Sequence, residues 1–280
     1  MKRILVPIDF SVCAEKAFNY AVLLAKKGGG EVILLHACDF LHYPFADKKH
    51  MINEYNDLKT TELTGRLAKL KDTAEESGVT ITTQLYDGDV VDSILSVSER
   101  KHIDLIVMGT WGATGLETIL LGTKTATIIS KSAIPVIAIP ADYISKEPQN
   151  ILIAINDAEQ DVNIFEPVFL LGNLFSAKVN IAVFSDDKAQ ADELMEHSRL
   201  INRSGEKLKK SFSNTNIEML HLSGSDFYQS LQQYINNGEI DLLVMITHKK
   251  GFVQNLFSFS MTRQMAYHTT VPLLSLHSSF

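Results

Sequence analysis

The feature that most constrains this chain is that it contains itself twice. Residues Ile4-Leu5-Val6-Pro7-Ile8-Asp9 fall on Ile151-Leu152-Ile153-Ala154-Ile155-Asn156 at an offset of 147, and the same offset carries Glu31-Val32-Ile33-Leu34-Leu35 onto Lys178-Val179-Asn180-Ile181-Ala182 without a gap. Further on the offset becomes 137, so the second copy is ten residues shorter in its middle. From Asp104 to Pro140 the match to Asp241–His277 is again gapless, with identities at Asp104/Asp241, Leu105/Leu242, Val107/Val244, Met108/Met245, Thr110/Thr247, Thr125/Thr262 and Pro135/Pro272. Identities held in one register point to a tandem duplication. The polar stretch Asp142–Gln149, which contains Pro148, marks the boundary: a first domain at 1–141, a linker at 142–149 and a second copy at 150–280.

Within each copy, short β-branched runs alternate with stretches of helical spacing. The runs near 3–8, 31–37, 79–86, 103–109 and 134–139 predict buried parallel strands, and those near 150–156, 178–184, 216–222, 241–246 and 271–276 repeat them. Helical spacing covers 12–27, about 48–77, 90–101 and 118–131; residues 40–50 are aromatic and irregular and read as a loop. Ser11 is a candidate N-cap for the first helix, and Gly28-Gly29-Gly30 ends it. Such an alternation implies an α/β class, with right-handed crossovers, a parallel sheet and helices on both faces. In sheets of this kind ligands bind at the carboxyl ends of strands where the strand order reverses. That rule selects Asp9, Phe10 and Ser11 after the first strand and Gly109 onward after the fourth.

The segment after the fourth strand carries the chemistry. It runs Gly109-Thr110-Trp111-Gly112-Ala113-Thr114-Gly115-Leu116-Glu117-Thr118-Ile119-Leu120-Leu121-Gly122-Thr123-Lys124-Thr125. Gly109 and Gly112 stand where a backbone leaves a strand and approaches a ligand closely, so that successive N–H groups can face an anion. Gly122-Thr123 opens the next helix, whose unpaired N–H groups favour phosphate, and Thr123 and Thr125 add hydroxyls. Each glycine taken singly reads as a turn residue; their combination after the correct strand reads as a phosphate cradle. Two familiar phosphate motifs are absent. A threonine separates Gly122 from Lys124, and no glycine stands five residues before Gly122, so the P-loop pattern fails; Asp9-Phe10-Ser11 is not a dinucleotide fingerprint.

The spacing Gly-x2-Gly-x9-Gly-[Ser/Thr], met at Gly109, Gly112, Gly122 and Thr123, resembles the ATP-binding signature of the universal stress protein family. The opening Ile4–Ser11 and the second strand Val32-Ile33-Leu34-Leu35-His36-Ala37 resemble that family too, and the likeness runs through the chain twice. The resemblance implies two tandem Rossmann-like domains, each with five parallel strands in the order 3-2-1-4-5. It implies ATP as the ligand, with Pro7 and Asp9 beside the adenosine and the backbone of Ala37 reading the adenine edge. Met108, Gly109 and Gly112 would line the ribose and phosphates, and Gly122, Thr123, Lys124 and Thr125 would hold the phosphate chain. Asp9 could hold Mg²⁺. Single-domain members of the family commonly dimerise through the last edge strand. Here Ile134–Ile139 and Val271–Leu276 are the corresponding apolar edges, which must be covered. Pairing them within the chain makes an intramolecular pseudo-dimer, with a homodimer as the other arrangement.

The second copy departs from the signature. Gly109 becomes Ile246, Gly112 becomes Lys249, Gly122 becomes Phe259 and Asp9 becomes Asn156, while Ser260 and Thr262 keep only hydroxyls. A side chain at such a glycine fills the phosphate space or resists left-handed backbone by ~1–2 kcal/mol. One nucleotide site, in the first copy, is therefore expected. Lys249 and Lys250 are either solvated lysines or attractors of another anion.

Composition closes off other classes. A net charge of −7, with no basic cluster interleaved with aromatics, argues against nucleic acid as a partner. No apolar stretch approaches the roughly 20 residues of a membrane span, and two cysteines, Cys13 and Cys38, suit a reducing cytoplasm. His36, ending a buried strand, reads as a satisfied core histidine; Cys38 is either reactive or a small buried hydrophobe. Asp87-Gly88-Asp89 either flanks the phosphates or forms a strand-to-helix turn with Asp89 near the helix start. His42, His50 and His102 lack metal-ligand spacing. The sequence thus predicts an ATP-binding regulatory or scaffolding module. A slow ATPase or autophosphorylating enzyme using Thr123 or Thr125 is one alternative, although no base, Walker-B partner or arginine finger accompanies them. A nucleotide-independent interaction protein is the other.

Overall fold

The computed structural model describes residues 1–42, 49–110, 122–155, 162–186, 199, 203, 205–213, 215–238, 240–248 and 270–278. In the first half, β1 (Arg3–Pro7), α1 (Val12–Gly28), β2 (Glu31–Cys38), α2 (Lys49–Asp72), β3 (Thr80–Asp87), α3 (Val90–Arg100), β4 (Leu105–Gly109), α4 (Thr123–Lys131) and β5 (Val136–Ile139) follow one another. The second half supplies β6 (Asn150–Ile155), α5 (Glu166–Phe175), β7 (Lys178–Asp186), β8 (Asn216–Gly224), α6 (Phe227–Asn237), β9 (Leu242–His248) and β10 (Leu273–Ser278). All ten strands join one sheet in the order β3-β2-β1-β4-β5-β10-β9-β6-β7-β8. Each half has the expected 3-2-1-4-5 order of parallel strands. The halves meet where β5 and β10 pair antiparallel, Ile137 opposite Leu274.

Local chemistry explains the element ends. The Ser11 hydroxyl accepts from the Ala14 amide (3.2 Å) and caps α1, while Gly29 closes it in a left-handed conformation at φ 61°. Asp89 caps α3 by accepting from the amides of Val91 (2.8 Å) and Asp92 (3.1 Å). Asp226, at the repeat-related position, caps α6 through the Gln229 amide at 2.8 Å. Alternation along the strands then sorts the core. Ile4 and Val6 face a layer built on Ala17, Phe18 and Tyr20 of α1; Leu5 faces the opposite layer with Ile94 of α3 and Ile128 of α4. Both layers run unbroken from one half into the other, through Ile137, Ile139, Leu274 and Leu276 on one side and Val136, Ala138 and Leu273 on the other.

The segment between the halves is docked along its length. Lys16 of α1 donates to the Ala141 carbonyl, and Tyr143 is buried edge-on against Tyr20, ring centroids 6.0 Å apart. Lys146 Nζ lies 2.5 Å from Asp241 Oδ1, and the other carboxylate oxygen of Asp241 accepts from the amides of Gln149 (2.8 Å) and Asn150 (2.9 Å). Sequence composition alone suggested a polar tether; its polar residues instead bind both halves.

Candidate functional site

A cavity of about 480 Å³ opens at the carboxyl ends of β1, β2 and β4, where the strand order turns back on itself. Pro7, Ile8 and Asp9 form one wall. Leu35, Ala37 and Cys38 at the end of β2 form the next, and Met108 and Gly109 close the far side. The first turns of α3 and α4 point at it, bringing Val90 and Ile94 from one helix and Gly122, Thr123, Lys124 and Thr125 from the other. The interior is therefore divided: Leu35, Val90 and Ile94 make an apolar end, and the amino end of α4 makes a polar one. Nine of the ten residues singled out in the sequence line this one cavity, and Gly112 lies outside the described residues, as does Trp111.

The roles of individual residues differ from what spacing suggests. Gly109 sits in β4, paired with Ile139, and has no left-handed backbone. A Cβ on it would lie 2.7 Å from Cys13 Sγ and 2.9 Å from the Cys13 carbonyl carbon, so close packing of α1 requires the glycine. The Thr125 hydroxyl donates to the Gly109 carbonyl at 2.8 Å, which spends its proton on tying α4 to the end of β4. Gly122 is the N-cap of α4 at φ −52°, and its own N–H is taken by the Thr110 carbonyl at 2.6 Å. The next amides, on Thr123, Lys124 and Thr125, belong to the first turn, which has no intrahelical acceptors. Thr123 and Lys124 are exposed there.

The turn after β3 serves structure at both ends. Asp87 accepts from the Phe40 amide (3.0 Å) and from His42 Nε2 (2.7 Å), holding the loop that follows β2. The amides of Asp92 and Val91 hold the Asp89 carboxyl below the usual carboxylate range, with the Lys124 charge nearby adding to the effect. Burial raises the Cys38 thiol above its ordinary value, which disfavours a nucleophilic thiolate. Burial likewise lowers His36, so its ring is neutral, and its Nδ1 lies 2.6 Å from the Ile8 carbonyl. Phe10, at φ 62°, lies between His36 (centroids 4.8 Å) and the Arg66 guanidinium (3.9 Å). A non-glycine residue in that region is strained. The packing on both faces of the ring holds it there, directly after Asp9.

Two residues that decide the contrast between the halves were missed in the sequence. Offsets of 147 and 137 place Phe184 at Ala37 and Phe227 at Val90. These rings pack edge-on with centroids 5.4 Å apart and are 6% and 3% exposed. They stand, in the second half, at the repeat positions of two residues that line the cavity of the first. Reading the repeat offsets at every strand end, and not only along the glycine loop, would have found them.

A sequence model of the Universal stress protein family matches residues 1–140. A universal stress protein of Methanocaldococcus jannaschii is 36% identical over 141 residues, which cover 49% of this chain and 81% of that protein. One from Synechocystis is 23% identical and is matched end to end, over 98% of this chain and 99% of its own. Among solved structures, a universal stress protein of Archaeoglobus fulgidus superposes over 99% of this chain and 98% of its own, with a TM-score of 0.72 at 18% identity, a likeness of fold.

Proposed function

Because the chain belongs to the universal stress protein family, we propose that it binds one ATP per molecule, in the cavity of its first half, and acts as a nucleotide-dependent regulatory or scaffolding module. The observation that carries this reading is the contrast between halves at one repeat position. Where the first half has Ala37, Val90 and an open cavity of about 480 Å³, the second has the packed rings of Phe184 and Phe227. The volume lies inside the roughly 300–1,000 Å³ of small-molecule sites, and its division suits adenosine followed by phosphates.

Residues 1–141 are then the nucleotide-binding unit, 150–280 a degenerate copy retained as a permanent partner, and 142–149 the docked connection. Adenine lies in the apolar end, its edge against the Ala37 backbone, with Pro7 and Asp9 beside the sugar. Met108 and Gly109 follow the ribose, and the Gly122–Thr125 turn takes the phosphates, with Lys124 supplying charge. Asp9 is the residue that would hold Mg²⁺ on the phosphate chain. The protein works in the cytoplasm on this reading; no helix among the described residues is long and apolar enough to cross a membrane.

Titration calorimetry on the full chain tests the proposal. One ATP per chain is expected, with a change in the fluorescence of Trp111, and Gly122→Phe removes it. Two equivalent sites, or no binding, overturns it. Turnover is slow on this reading, because Thr125 has its proton committed and His36 is bound to Ile8. Steady phosphate release at or above ~1 s⁻¹ contradicts it.

A further inference from the structure

The end of β2 leaves one backbone amide without its ladder partner, and a side chain is responsible. In a parallel ladder a residue's N–H and C=O point to the same neighbouring strand, and successive residues alternate sides. The Cys38 carbonyl accepts from Gly88 on the β3 side at 3.2 Å, so Ala37 points its N–H and C=O the other way, towards β1. There the last rung is the Ile8 amide to the Leu35 carbonyl at 2.8 Å. The next rung of the same series is the Ala37 amide to the Ile8 carbonyl. It is not formed: the β1–β2 pairing stops at Pro7 opposite Leu35, and the Ile8 carbonyl faces His36 Nδ1 at 2.6 Å. A carbonyl only accepts, so Nδ1 carries the proton.

The second half is an internal control. The offset of 147 places Ile155 at Ile8 and Val183 at His36, and valine is a residue type with no donor. There the corresponding pairing runs one residue further, to Ile155 opposite Val183. The ladder is short only where the histidine stands.

We propose that His36 is a positioning residue of the nucleotide site: by occupying the Ile8 carbonyl it ends the β1–β2 ladder one rung early and keeps the Ala37 amide open for an acceptor atom of the ligand's base. This rests on the reading of the cavity as a nucleotide site. The open Ala37 N–H, beside a C=O on the same edge, offers a donor next to an acceptor. Adenine matches that pair with a ring nitrogen beside an amino group; guanine presents its donor and acceptor in the reverse order, so a base held in the same orientation meets donor with donor and acceptor with acceptor. His36 itself borders the cavity, and its bond to the Ile8 carbonyl acts on base selection through the Ala37 amide.

The test uses the full chain and two variants. His36→Val copies the second half; His36→Asn keeps an N–H at the same number of bonds from the backbone while removing the ring that packs on Phe10. Without nucleotide, amide hydrogen exchange at Ala37 is expected to be fast in the native chain and in His36→Asn, and slowed by about tenfold or more in His36→Val as the missing rung forms. In calorimetry His36→Val weakens ATP by about tenfold, and His36→Asn stays within about twofold of native. Inorganic tripolyphosphate, which has no base, binds all three alike. Equal exchange at Ala37 in the native chain and His36→Val overturns the proposal, as does undiminished ATP affinity in His36→Val. If the native chain binds no ATP while the exchange contrast holds, the nucleotide reading fails and the control of the Ala37 amide by His36 stands.

Discussion

The two halves are most alike at the amino ends of their strands and least alike at the carboxyl ends. Below the core the hydrogen bonds are copied almost atom for atom. The Glu31 amide donates to the Lys2 carbonyl and Lys178 to Gln149, both at 2.8 Å; Asp104 donates to Arg3 at 3.0 Å and Asp241 to Asn150 at 2.9 Å. The Ile106 amide donates to the Pro135 carbonyl at 3.0 Å and Leu243 to that of Pro272 at 2.9 Å. At the other end the lining of the cavity has changed at three places: Ala37 to Phe184, Val90 to Phe227 and Gly109 to Ile246. The contacts that set the register of the sheet are shared by both halves, and the residues at the mouth of the cavity are not. The second half covers the apolar edge of β5 with β10.

The comparison breaks most directly by exchanging the plug. Ala37→Phe with Val90→Phe is expected to abolish ATP binding in calorimetry, with stability changed by about 1–3 kcal/mol from the added volume. Retention of ATP affinity would show that the cavity is not the site. The reciprocal Phe184→Ala costs about 3–5 kcal/mol, read from the shift in a urea midpoint. It leaves the stoichiometry at one, since Ile246 still occupies the place of Gly109.

Next in size is the pair of repeated aspartates. Asp104 and Asp241 make the same contacts, each accepting from two successive amides at the start of a strand: Lys2 (2.5 Å) and Arg3 (3.0 Å), or Gln149 (2.8 Å) and Asn150 (2.9 Å). Asp104 is exposed, whereas Asp241 is 3% exposed and also holds Lys146. Asp241→Ala removes a buried carboxylate that holds two amides and Lys146 and should cost about 3 kcal/mol; Asp104→Ala, where water can substitute, about 1 kcal/mol. Equal costs in urea unfolding would mean that burial at the junction does not deepen the contact.

Much of this was legible from residues alone. β-branched runs bounded by turn residues located the strands, the repeat predicted two copies, the family resemblance implied the order 3-2-1-4-5 in each, and the apolar Ile134–Ile139 and Val271–Leu276 runs marked the edges that pair. The glycine loop pointed to the end of the sheet where the cavity opens. What stayed hidden depends on atoms brought together from distant segments. Gly109 is required by Cys13, 96 positions earlier in the chain, rather than by a backbone angle. The docking of 141–149 rests on Lys16, Tyr20 and Asp241, none of them adjacent in sequence. His36 was legible as a satisfied histidine, but the length of a ladder, which gives its bond a consequence, has no sequence signature.

Alkaline pH sharpens the view of the junction. Burial first, and the Asp241 charge second, push the Tyr143 phenol from its ordinary 10.0 up to about 12. A group whose pKa is higher in the folded state contributes stability that is whole below the unfolded value and is lost as pH rises through the folded one. Stability should therefore fall between about pH 10 and pH 12, and Tyr143→Phe should flatten that fall while leaving neutral pH nearly unchanged. Urea midpoints at about pH 9 and about pH 11.5 measure it. A variant whose midpoint drops as steeply as the native chain's would remove Tyr143 from the account.

The smallest effect lies at the pseudo-twofold axis itself. Ile137 faces Leu274 on the axis, and the flanking pairs, Ala138 with Leu273 and Val136 with Ser275, are exchanged by it, so that Ser275 stands where the first half has Ala138. Ser275 is 0% exposed, and its hydroxyl has no hydrogen-bond partner among the described residues. A hydroxyl buried without a partner costs on the order of 1–3 kcal/mol of desolvation, and an apolar replacement of similar shape recovers part of it. Ser275→Ala removes a single oxygen and makes the pair of positions symmetric. The lost packing around that oxygen offsets some of the gain, leaving a net stabilisation of about 0.5–1 kcal/mol. The urea midpoint should rise with an unchanged m-value, and ATP affinity should stay at its native level, because β10 lies across β5 from the cavity. A fall in stability would show that the hydroxyl is bonded at the junction, and that the asymmetry between Ala138 and Ser275 helps hold the two edges together.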